Sequence, residues 1–264
     1  MKVNLKDRSL LKVSGPDAKA FLQSQLTNDI DSLTEDKVQI NTYCQHQGKV
    51  MAILWVFEKD NDFYISITSD LKDIVLSKLN MFKLMSDLKI EDVSSEFIQY
   101  GLIDEDIDGS FEFKDNLKLL LSEKEHSDQE DISLWDEACV VNMLPEVYLA
   151  TTEKFIPQAL NLDIDNLGVS FTKGCYPGQE VVARMHYLGQ PKRRLYSFKT
   201  DTIVKVGDSL NVENSKSLKS AGIVVRVYRQ DKFTRLLASF ETSLINEKIH
   251  INDDTSASAT LVNV

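Results

Sequence analysis

The chain has 264 residues, with 41 acidic against 30 basic side chains and a net charge of −11. Its apolar and charged fractions suit a globular protein, while its overall field repels phosphate backbones and anionic headgroups, so no direct nucleic-acid or membrane partner is expected. Three widely spaced cysteines, Cys44, Cys139 and Cys175, and four scattered histidines give no disulfide framework and no metal site, and they fit a reducing, cytoplasmic setting.

The opening residues carry charges at Lys2, Lys6, Asp7 and Arg8, so they do not read as a secretory leader, and no run approaches the ~20 apolar residues of a bilayer span. Ser9 to Val13 predicts a short strand. Ser14-Gly15-Pro16-Asp17 then has the spacing of a capping box and predicts a helix with Phe21, Leu22 and Leu26 on one face, ending near Asn28. Val38, Ile40 and Thr42 alternate with polar residues, and the apolar run Val50 to Phe57 follows the turn Gln47-Gly48-Lys49, which predicts two paired strands. Phe63, Ile65 and Ile67 extend that sheet. Ser69-Asp70 precedes Leu71, Ile74, Val75 and Leu79 at helical spacing, predicting a second capped helix. Phe97 to Ile103 and Leu117 to Leu121 add strands.

Beyond Pro191 the pattern changes to short alternating runs, Tyr196 to Phe198, Ala221 to Val227 and Arg235 to Phe240, with no good helix: a small β-barrel. The expected class is therefore α+β, with helices on one face of antiparallel sheets over residues 1–190 and a barrel over 191–264.

The densest run of special residues is Ser170 to Glu180, SFTKGCYPGQE, continuing Val181 to Gln190. Gly174 and Gly178 permit tight turns, Pro177 stiffens the loop between them, and a helix opens at Gln179 and runs through Met185. Cys175 thus sits on a rigid turn before a helix N-terminus, with Lys173 and Arg184 close enough in sequence to favour a thiolate. The bland alternative is a small buried hydrophobe, which is the stronger reading for Cys44 and Cys139.

The run KGCYPGQEVVAR resembles the signature of the YgfZ family of folate-binding proteins, relatives of the glycine cleavage T-protein and of mitochondrial iron–sulfur assembly factors. VSGPDAKAFLQSQLTNDI, the Cys-x-x-x-Gly-Lys of Cys44 to Lys49, and FIPQALNLD extend the likeness along the chain in the same order. The resemblance implies a three-lobed T-protein-like ring, with two intertwined ferredoxin-like α+β subdomains, the C-terminal barrel and a central folate channel. It implies tetrahydrofolate or a derivative as cofactor, iron–sulfur enzymes or their assembly proteins as partners, and a role in maintaining cluster enzymes, tRNA-modifying ones included. Under it Cys175 is the nucleophile or transient ligand and Lys173 its activator. The folate-binding residues it implies are Trp135 as the pterin platform, Tyr176, which also shapes the approach to the thiol, Gly178, which links the loop to the ligand channel, Gln179 or Glu180 reading the pterin edge, and Arg184 meeting a carboxylate.

Three departures stand out. The aminomethyltransferase branch resembles Gly-Gly-x-x-Asp-Asp where this chain has Gly48-Lys49-Val50-Met51-Ala52-Ile53, so the alternative of a tetrahydrofolate-dependent one-carbon transferase lacks its carboxylate. Val141-Asn142-Met143-Leu144 replaces a segment ending in Ala-Gly before Pro145. Arg8 stands where an aromatic residue is often found.

Overall fold

The structure, a computed structural model, describes residues 1–127, 129–212, 220–230 and 232–262. In chain order the elements are β1 (Lys2–Asn4), β2 (Arg8–Ser14), α1 (Ala18–Gln25), β3 (Gln39–Cys44), β4 (Val50–Lys59), β5 (Asp62–Thr68) and α2 (Lys72–Phe82). There follow β6 (Lys89–Asp92), β7 (Ile98–Ile103), β8 (Phe111–Lys114), β9 (Leu117–Ser122), α3 (Ile132–Val141) and α4 (Gln179–Leu188). The chain ends in β10 (Arg193–Thr200), β11 (Ser209–Val212), β12 (Gly222–Gln230), β13 (Phe233–Glu241), β14 (Ile249–Ile251) and β15 (Asp254–Leu261).

They form three antiparallel assemblies: a five-stranded sheet in the order β3-β4-β5-β2-β6, a four-stranded sheet β1-β7-β9-β8, and a closed barrel β10-β13-β12-β11-β14-β15. The β3–β4 hairpin and the pairing of β4 with β5 follow the patterns read from sequence. Val50 to Phe57 are all buried, which is why β4 is an unbroken apolar run rather than an alternating one. Helix α1 buries Phe21 and Leu22 and α2 buries Val75 and Leu79, each such side chain contributing about 1.5–3 kcal/mol. One continuous core joins these residues to Leu195, Val225 and Leu237 of the barrel, so the barrel packs onto the rest of the fold.

Both expected helix caps are corrected. Ser14 ends β2, and α1 starts only at Ala18, because the Asp17 carboxylate accepts from the Asp87 backbone N–H (2.7 Å) instead of capping its own helix. Likewise Asp70 accepts from the Leu149 N–H (2.7 Å), leaving α2 without a side-chain cap. A capping residue serves whichever backbone donor is nearest, and here tertiary partners won. Helix α3 was not expected from periodicity, yet it carries a regular cap: the Asp131 carboxylate accepts from the Ser133 N–H.

Between Val224 and Arg226 the β12–β13 register shifts, leaving Val225 as an extra residue. This bulge lets Val225 and Arg226 both be buried against the rest of the fold, outside the barrel's own core, where strict alternation would place only one of them. Arg226 then pairs with Asp136 of α3 (3.0 Å) and lies 3.6 Å from Glu146, whose carboxylate also holds Arg8 of β2 at 2.5 Å. The Arg8 guanidinium lies 3.3 Å above the Trp55 ring and donates to Ser66. The unusual Arg8 is thus one arm of a buried charge cluster tying β2, α3, the Glu146 segment and the barrel together.

Candidate thiol loop and cationic cleft

Residues 170–178 run across the end of the β3–β4 hairpin before entering α4. Gly178 has a left-handed φ of 83°, and a Cβ there would stand 2.5 Å from the Gln45 carbonyl and 2.8 Å from Gly48, so only glycine lets loop and hairpin touch. The Gln179 amide closes the loop by donating to the Gly174 carbonyl (3.3 Å). Gln158 donates to the Val182 carbonyl (2.8 Å), fixing α4 to the turn at Pro157–Leu160. Cys175 is exposed at the tip of this pinned loop, whereas Cys44 and Cys139 are buried and burial pushes both thiols up to about 12.

Lys173 does something other than the sequence suggested. Its ammonium is buried and donates to the carbonyls of Leu26 (2.7 Å) and Asn28 (2.8 Å), with the Tyr176 ring 5.5 Å away. It anchors the loop rather than pairing with a thiolate, because two backbone acceptors lie within its reach. Burial lowers its pKa to about 8, with Asp29 and Asp31 opposing. A lysine depressed in the fold binds fewer protons than in the unfolded chain, so between about pH 8 and 10 it adds stability as pH rises. Thermal unfolding across that range should therefore show a pH-dependent gain in the native protein that is missing in Lys173→Met. An equal pH response in both would refute the assignment.

Trp135 also departs from expectation as an open platform. It is 2% exposed, its ring presses on Gly101, and Phe113 stacks over it at 6.2 Å with Trp55 at its edge. The indole fills the space that the missing Gly101 side chain leaves, so it is a core residue here. Tyr176 is buried, and its hydroxyl has no hydrogen-bond partner among the described residues. Glu180 and Arg184 are exposed and make no ion pair among the described residues.

The sequence reading missed a cleft of about 420 Å³ beside the last turns of α4, lined by Phe155, Ile156, Ala159, Met185 and Pro191 with Lys49, Lys154, Lys192 and Arg193. Among the described residues no carboxylate lines it. The Lys192-Arg193-Arg194 triplet after Pro191 was the available signal; Arg194 is already engaged by Asp163 (2.5 Å), and Arg193 also donates to the Ser220 carbonyl while carrying no counter-ion among the described residues. An apolar floor with several cations and no counter-charge suits a flat organic anion. No group of three or more His, Cys, Asp or Glu side chains among the described residues could hold a metal ion, and no described helix is long and apolar enough to cross a membrane.

Three antiparallel assemblies in this arrangement are the fold of the glycine cleavage T-protein: the chain superposes in full on 84% of the aminomethyltransferase T of the Bartonella henselae glycine cleavage system, with a TM-score of 0.71 at 12% identity. No family model matches the chain. It is 30% identical to an uncharacterized protein of Haemophilus influenzae, over 87% of this chain and 85% of that one. It is 30% identical to the tRNA-modifying protein YgfZ of Photobacterium profundum, over 74% and 68%, and 27% identical to that of Aliivibrio fischeri, over 91% and 85%. The chain belongs to the YgfZ family.

Proposed function

We propose that this protein binds a tetrahydrofolate and serves, through Cys175, as an accessory factor for tRNA modification by iron–sulfur enzymes. The observation that carries this reading is the contrast among the thiols: Cys175 alone of the three is exposed, on a loop held by Lys173, Gly178 and Gln179. Relatives of similar length are named tRNA-modifying proteins, which supports the tRNA side of the proposal. The iron–sulfur side rests on the family resemblance of the KGCYPGQE run.

For folate, the cleft beside α4 fits better than the closed environment of Trp135. Phe155, Ile156, Met185 and Pro191 would hold the flat apolar body, and Lys49, Lys154, Lys192 and Arg193 the carboxylates. A bound tetrahydrofolate supplies a one-carbon carrier; the side chains named here bind and orient it. Calorimetric titration with tetrahydrofolate should give saturable binding that weakens by about tenfold or more in a Lys192→Ala, Arg193→Ala double variant, since each charge-assisted contact contributes about 1.5–3 kcal/mol. Cys175→Ser should keep the affinity yet fail to restore cluster-dependent tRNA modification in cells lacking the protein. Full restoration by Cys175→Ser would overturn the role of the thiol, and unchanged affinity in the double variant would overturn the cleft.

A further inference from the structure

Helix α2 has two apolar faces, and only one is covered. Leu71, Val75 and Leu79 lie in the core. At its C-terminal end Met81 is 62% exposed and Phe82 49%, and in the turn that follows Leu84 is 83% and Met85 98% exposed. Four large apolar side chains within five residues, all facing water, are unlike the scattered exposed leucines of ordinary surfaces and mark a contact surface. From Ile74 to Ser86 the only charged residues are Lys78 and Lys83, with exposed Lys89 just beyond at the start of β6 and Asp87 the first carboxylate after the turn. None of these three lysines makes an ion pair among the described residues. The exposed apolar stretch itself thus carries only positive charge, Lys78 and Lys83, with Asp73 before it and Asp17 and Asp87 beside the turn at its margins.

We infer that the C-terminal end of α2 docks a protein partner through an acidic segment with one apolar face. Phe82, Leu84 and Met85 take the apolar side, methionine and leucine adapting to its shape, and Lys78 and Lys83 meet its carboxylates. A second copy of this chain fits less well, because a two-fold contact here would bring Lys78 and Lys83 of both copies together. An anionic membrane fits less well too, because the net negative charge opposes approach to it.

The probe is a fluorescent amphipathic helix of about 18 residues with leucine and phenylalanine along one face and glutamate along the other, compared with its counterpart carrying lysine for glutamate. Polarisation titrations of the full chain should show saturable binding of the acidic peptide, weakened about tenfold in a Leu84→Asp, Met85→Asp variant and again in Lys78→Glu, Lys83→Glu, with the basic peptide at least about tenfold weaker on the native chain and the preference for the acidic peptide lost in Lys78→Glu, Lys83→Glu. Because these side chains face solvent, both variants should unfold at the native temperature, which a thermal scan checks. No binding of the acidic peptide, equal binding of both peptides, or binding indifferent to both variants overturns the inference. Two further results also overturn it: a preference for phosphatidylglycerol vesicles that both variants abolish makes the patch a membrane contact, and concentration-dependent self-association lost in both makes it a dimer face.

Discussion

Treated with iodoacetamide at about pH 8, the native protein should alkylate at Cys175 and almost nowhere else, because thiolate is the reacting species and the other two thiols are both buried and unionised. A thiol pushed up to about 12 is ionised in roughly one molecule in 10⁴ at that pH, so Cys44 and Cys139 lose about three orders of magnitude in rate relative to an ordinary thiol before burial further blocks access. Unfolding in denaturant should bring all three to comparable rates. Peptide-level mass spectrometry of timed samples reads the three rates separately. Comparable native rates for Cys175 and Cys139 would remove the foundation of the proposed role. Lys173→Met provides a second reading of the same loop. Since Lys173 holds the loop to the Leu26 and Asn28 carbonyls, its loss should change the order of residues 173–178 without baring the two buried thiols.

Glu146→Ala should be the most destabilising single substitution in the charge cluster. Its carboxylate is buried and faces Arg8 at 2.5 Å and Arg226 at 3.6 Å, and its second oxygen accepts from the Val147 N–H. Removing it leaves two buried guanidinium groups repelling each other, a loss of about 3–5 kcal/mol, which lowers the melting temperature by roughly 10 °C in a chain of this size. Deleting one of the two cations as well should recover much of that. Arg8→Met with Glu146→Leu leaves Arg226 to Asp136 alone, and this double variant should melt above Glu146→Ala. Differential scanning calorimetry of the three proteins decides it, a melting point for Glu146→Ala within a few degrees of the native one counting against the cluster as a tie between lobes.

Local signals were enough to recover the main strands and the first two helices. The alternation in residues 38–42, the apolar run of β4 and the 3.6-residue repeat of α2 are properties of the chain that any packing must respect. The KGCYPGQE run also located the thiol loop and its glycines, because Gly178 must let two backbones touch and a left-handed φ leaves few alternatives. Short strands such as β1, β8, β11 and β14 lacked that legibility, since three or four residues carry no period and gain their order only from neighbours.

What tertiary structure alone decided is the direction in which each polar side chain reaches. Lys173 is two residues from Cys175 in sequence, but its ammonium bonds to carbonyls more than 140 residues away. Asp17 and Asp70 have the spacing of caps and serve distant N–H groups instead. Trp135 has the chemistry of a ligand platform, yet Gly101 and Phe113 cover it. The cleft cations come from positions 49, 154, 192 and 193, which only the packing of α4 against the hairpin and the barrel brings together. Sequence spacing governs contacts within one helix or strand, where geometry is periodic; between elements the partner of a long polar side chain depends on which buried donor or acceptor still needs one, and that is known only once the chain is folded.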